Sequence, residues 1–132
     1  MRYVTEEEVL LIHGEAVRRY KGSPGVRAHH LLESALGAAC QTFDGKPLHP
    51  DAVALAAAYA FYICTDHPFV DGNKRTAVGI CELALAKNDR QIPGECDQQL
   101  KSHIEAIAAG EMSRQQFERW LRDVVTVPDS DR

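Results

Sequence analysis

The sequence predicts an all-α fold: one small domain of about six helices with a single short β-hairpin flap. Three observations carry that expectation. Apolar residues recur at i, i+3 and i+4 through most of the chain. Residues that favour helix starts and stops bracket those stretches. One segment alone, Gln41 to His49, breaks the helical period, around an Asp44-Gly45 turn. At 132 residues the chain suits one hydrophobic core, so a domain over residues 1–126 and a flexible tail over 127–132 are expected.

The elements follow in order. Val9, Ile12, His13, Ala16, Val17 and Tyr20 form the first amphipathic stripe, started by a Thr5/Glu8 capping box and ended by Gly22. His13 lies on the apolar face and reads as a packed core histidine rather than a ligand. After Gly22-Ser23-Pro24-Gly25, a second stripe runs through Ala28, Leu31, Leu32, Ala35, Leu36 and Ala39. His29 and His30 are neighbours on that helix and face different directions, so a shared metal is not expected. Gln41 to His49 reads as the flap. Pro50 and Asp51 then start a third helix, apolar nearly all round from Ala52 to Cys64 and therefore central to the core. Pro68 forces His67 out of the α region and stops that helix.

A fourth helix begins near Asp71 to Asn73 and turns Ala77, Ile80, Cys81, Ala84 and Leu85 inward. Two more are expected, Asp97 to Ala109 and Ser113 to Val125, the last with a Ser113/Gln116 capping box.

Bulk properties exclude several classes. A net charge of −4, from 15 basic and 19 acidic side chains, argues against direct nucleic-acid binding, which needs a basic face. Cys40, Cys64, Cys81 and Cys96 form no CxxC pair, so a zinc site is not expected. With no secretory apolar segment at the N-terminus, a reducing cytoplasm is the expected setting. The longest apolar run is too short to span a bilayer, so no membrane contact is expected.

The chemistry concentrates in His67-Pro68-Phe69-Val70-Asp71-Gly72-Asn73-Lys74-Arg75. Two cations in the first turn of a helix oppose its dipole, unless an anion sits in front of them. Phosphate suits that position. Gly72 lets backbone approach a ligand, and Asn73 either stabilises the turn or donates to phosphate. His67 can take a proton from a hydroxyl near neutral pH, or simply cap the preceding helix. Asp71 serves either as a helix cap or as a hard ligand for Mg²⁺.

This segment resembles the signature of the Fic/Doc superfamily, which reads H-P-F-x-[D/E]-G-N-G-R-x-x-R in the Fic branch and H-x-F-x-D-A-N-K-R in the Doc branch. Gly22 to Arg27 and Leu31 to Leu36 are also similar to the N-terminal part of death-on-curing toxins. The likeness extends to about Lys87. It implies a helical enzyme that moves part of a nucleoside triphosphate onto a protein hydroxyl. His67 would be the general base, Asp71 the Mg²⁺ ligand, and Gly72, Asn73, Lys74 and Arg75 the phosphate site. Gln41 to His49 sits where the family carries a flap that pairs with the target chain.

Lys74 stands where AMP-transferring Fic enzymes have glycine, and Val78 where they have a second arginine. The resemblance is thus to the Doc branch. It implies a toxin that transfers the γ-phosphoryl of ATP to a Ser or Thr of a translation factor, elongation factor Tu being the family's example. Pro68 and Gly72 match Fic and keep AMP transfer open. A catalytically silent antitoxin-binding module is the third reading. No glutamate is followed by glycine or asparagine, so the self-inhibitory Fic motif is missing. Restraint by a separate Phd-like antitoxin, whose disordered tail folds on the toxin, is expected instead. Ala28, His29 and His30 depart from the acidic residue and glycine that the family carries there.

Overall fold

A computed structural model describes residues 1–128. It contains six helices: α1 (Glu6–Tyr20), α2 (His29–Ala39), α3 (Ala52–Asp66), α4 (Asn73–Lys87), α5 (Asp97–Ala108) and α6 (Arg114–Val124). A two-stranded antiparallel hairpin, β1 (Thr42–Phe43) and β2 (Lys46–Pro47), lies between α2 and α3. The expected all-α architecture with one short flap is therefore the observed one. Of the expected tail, only Val127 and Pro128 fall within the described residues.

Local rules account for most boundaries. Thr5 and Glu8 exchange both capping-box bonds at the start of α1, and Ser113 and Gln116 do so at the start of α6. The Asp51 carboxylate accepts from the Ala54 N–H at 2.8 Å and starts α3. Ala28 offers α2 no side-chain cap. The hairpin turns on Asp44 and Gly45, both at positive φ (54° and 78°), which matches the right-handed twist of its strands.

One helix end differs from expectation. Lys21, not Gly22, takes the left-handed conformation that closes α1 (φ 57°). Gly22 is needed for space instead, because a Cβ there would lie 2.7 Å from Asp71 Oδ2.

The core is built around α3, which packs against α2, α4, α5 and α6. Ala54, Ala56, Ala57, Ala58 and Ala60 are all buried, and their short side chains let four helices approach one axis. Tyr59, Phe69, Phe117, Leu32 and Ile80 fill the space between. The crossing of α1 over α4 is equally close: a Cβ on Gly79 would sit 2.6 Å from Ile12 Cγ2. Cys64, Cys81 and Cys96 are buried and free, acting as small hydrophobes. His29 and His30 are both exposed. His29 Nε2 pairs with Glu6 of α1 at 2.8 Å and its Nδ1 lies 3.8 Å from Glu33 of α2, so these groups clasp α1 to α2. No helix among the described residues is long and apolar enough to cross a membrane.

Candidate active site

The turn from α3 to α4 carries the residues from His67 to Arg75, and two separate parts of the chain pin it. Along one side runs segment 22–28. The Arg27 and Ala28 N–H groups donate to the Pro68 carbonyl (2.7 and 3.3 Å), and the Val70 N–H donates to the Gly25 carbonyl (3.1 Å). The Arg27 guanidinium donates to the carbonyls of Asp66 (3.2 Å) and His67 (2.9 Å), satisfying orphan acceptors at the end of α3. On the other side stands His13 of α1. Its Nε2 donates to the Asp71 carbonyl at 2.8 Å, and its ring stacks on Phe69 with centroids 3.8 Å apart.

His67 leaves the right-handed region, as Pro68 requires, but enters the left-handed one (φ 54°, ψ 56°). Histidine adopts that conformation more readily than most residues. Its backbone is held at both ends while its imidazole is exposed, with no hydrogen bond among the described residues.

Asp71 is exposed. One carboxylate oxygen accepts from the Gly72 N–H (2.8 Å), the other from the Ser23 N–H (3.1 Å). These bonds, the Ser23 one foremost, hold its carboxyl below the usual range, with help from Arg75. Each oxygen keeps a free lone pair, so the group fits a hard cation as a single protein ligand, phosphate and water completing the shell.

The start of α4 has the features of an anion nest. Gly72 is the N-cap at φ 82°, no side chain caps the helix, and no acidic residue lies in the first turn. The N–H groups of Asn73, Lys74 and Arg75 have no partner among the described residues, the first ladder bond being Thr76 N–H to the Gly72 carbonyl at 2.9 Å. The Asn73 side chain is buried and fully used. Its Oδ1 accepts from the Phe69 N–H and its Nδ2 donates to the Phe69 carbonyl, both at 3.0 Å. What Asn73 offers a phosphate is its backbone N–H. Lys74 Nζ pairs with Glu105 of α5 at 2.9 Å, and the Arg75 guanidinium lies 3.9 Å from the Tyr20 ring centre.

The residues singled out by sequence, His67 and Asp71 to Arg75, all border one cleft of about 280 Å³. Cys64 and Ala108 close its floor and side. Burial pushes the Cys64 thiol up to about 12, so it stands there as a neutral thiol and no nucleophile. A larger groove of about 440 Å³ between α1 and α5 adjoins it across Lys74 and Arg75. Sequence reasoning missed His13, Gly22, Ser23, Arg27, Tyr20 and Glu105 as parts of the site. Gly22, Ser23 and Arg27 stand out by sequence only as part of the stretch from Gly22 to Arg27 that resembles the family.

The model of the Fic/DOC family matches residues 3–85, more than half of the chain. "Protein kinase doc" of Escherichia phage P1 is 29% identical over 92 residues, which cover 70% of this chain and 72% of that protein. The chain belongs to the Fic/DOC family, on its Doc branch.

Proposed function

We propose that this Fic/DOC chain is the toxin of a toxin–antitoxin pair and a protein kinase. It would transfer the γ-phosphoryl of ATP to a Ser or Thr hydroxyl of a translation factor, elongation factor Tu being the first to try. The observation that carries the reading is an uncapped, cationic helix start sharing one cleft with an exposed imidazole. The likeness to a protein named as a kinase supports phosphoryl rather than AMP transfer, as does a lysine at position 74, whose side chain fills space that glycine would leave.

In this reading the N–H groups of Asn73, Lys74 and Arg75 hold phosphate oxygens, and the two cations balance their charge. Asp71 holds Mg²⁺, which when bound neutralises charge on the phosphates. The acceptor hydroxyl lies against His67. As its oxygen bonds to the γ-phosphorus, the bond to the β–γ bridging oxygen breaks and ADP leaves with that electron pair. His67 takes the hydroxyl proton. The left-handed turn and the Arg27 clamp fix where the imidazole stands, so catalysis is mostly positioning. The exposed hairpin, with Phe43 74% exposed, offers strand edges to an extended target segment. Restraint by a Phd-like antitoxin completes the proposal.

Pro68 and Gly72 favour a second reading, AMP transfer. The two separate by mass spectrometry of a cell extract incubated with the protein, ATP and Mg²⁺, beside His67→Ala. A gain of one phosphate on a translation factor, absent with His67→Ala, is expected. A gain of AMP would move the chain to the second reading. Equal toxicity of His67→Ala and the parent protein would leave only an antitoxin-binding module.

A further inference from the structure

Helix α4 has two available starts. If helical geometry reached back one residue, the Asp71 carbonyl would accept from the Arg75 N–H, as the i to i−4 ladder requires. That bond is not made; the Asp71 carbonyl accepts from His13 Nε2 at 2.8 Å instead. Gly72 sits at φ 82°, a region glycine enters as readily as the right-handed one, so residue 72 does not itself choose between the starts.

We infer that His13 makes the choice and is a positioning residue for the anion site. By holding the Asp71 carbonyl, it keeps Gly72 left-handed and leaves the Arg75 N–H free to face an anion. The inference rests on the phosphate reading of the cleft. The imidazole is held firmly in place, being 5% exposed and within 9° of parallel to the Phe69 ring. It also packs against the residue in question, since a Cβ on Gly72 would come 3.5 Å from His13 Cδ2. A carbonyl only accepts, so Nε2 carries the hydrogen. Without that donor, the Asp71 carbonyl finds its nearest substitute in the Arg75 N–H, and α4 lengthens into the space the phosphate needs.

The test titrates inorganic pyrophosphate calorimetrically into the wild type, His13→Phe and His13→Gln. Phe keeps a ring to stack on Phe69 and removes the donor; Gln returns an N–H. His13→Phe should bind about tenfold more weakly, the loss expected for one hydrogen bond to a charged ligand, and His13→Gln should recover most of it. Amide exchange supplies a second readout, in the wild type and in His13→Phe. In the unliganded wild type the Arg75 amide should exchange as an open amide and become protected on adding pyrophosphate. In His13→Phe it should be protected from the outset. A protected Arg75 amide in the unliganded wild type, equal affinities for the two variants, or no pyrophosphate binding to the wild type would each overturn the inference. Neither ATP nor an acceptor protein is present, so failure of phosphoryl transfer alone would remove the proposed function and leave this result standing.

Discussion

At the start of α6 the Ser113 hydroxyl accepts from the Gln116 N–H, and the Gln116 side chain accepts from the Ser113 N–H. At the start of α4 a left-handed glycine stands where the cap should be, and two cations follow it into the positive end of the helix. One chain thus obeys the capping rules at one helix and breaks them at another. The fold does not need the exception, since α3 and α4 pack along their whole apolar faces. Helices α2 and α5 also lack a side-chain cap, so what sets α4 apart is the left-handed Gly72 followed by two cations beside a cleft, a departure that points to function. The donors that α6 satisfies internally are left without a protein partner at the start of α4 among the described residues, free for the proposed phosphate.

That contrast can be broken from either side. The largest effect should come from Gly22→Ala, which would drive a Cβ to 2.7 Å from Asp71 Oδ2 and turn the carboxylate away from the Ser23 N–H. The Mg²⁺ concentration for half-maximal transfer should rise about tenfold, as for lost outer-shell support, with the urea midpoint little changed. An unaltered Mg²⁺ requirement would show that Asp71 is only a turn residue. Next, Ser113→Ala should lower stability by about 1 kcal/mol in urea unfolding and leave nucleotide affinity untouched. A matching fall in nucleotide affinity would tie α6 to the site and blur the distinction. The smallest effect belongs to Glu105→Gln. It releases Lys74 from an exposed ion pair, whose side chains are 52% and 66% exposed, and should tighten ATP binding about two- to fivefold. Weaker binding would mean that Glu105 aims Lys74 at the phosphate rather than away from it.

How much of this could be read from sequence depends on the distance over which each feature is fixed. The capping boxes of α1 and α6, the apolar α3 and the Asp44-Gly45 turn are set by residues a few positions apart, and the sequence shows them directly. The motif from His67 to Arg75 was visible for the same reason. What holds the motif was not. His13 and Asp71 are 58 residues apart, and Arg27 and His67 are 40 apart. His13 looks like any apolar-face histidine until α1 is laid across α4. Gly22 is a helix-stop residue by sequence, yet its lack of a Cβ matters because Asp71 packs against it. By sequence, Asn73 fits either a turn role or a phosphate ligand. Its two bonds to Phe69 commit its side chain to the turn, which only the folded loop could decide.

The central claim, that α4 gives up a favourable start in order to bind phosphate, is tested most directly by exchanging charges. The double variant Lys74→Glu with Glu105→Lys keeps the ion pair and puts an anion in the first turn. Urea unfolding and ATP titration are then compared with the wild type. The account predicts a stability equal to or above the wild type's, because the helix dipole now favours residue 74. It also predicts ATP binding at least about tenfold weaker, from loss of a charge-assisted contact. A variant that binds ATP as well as the wild type would contradict it.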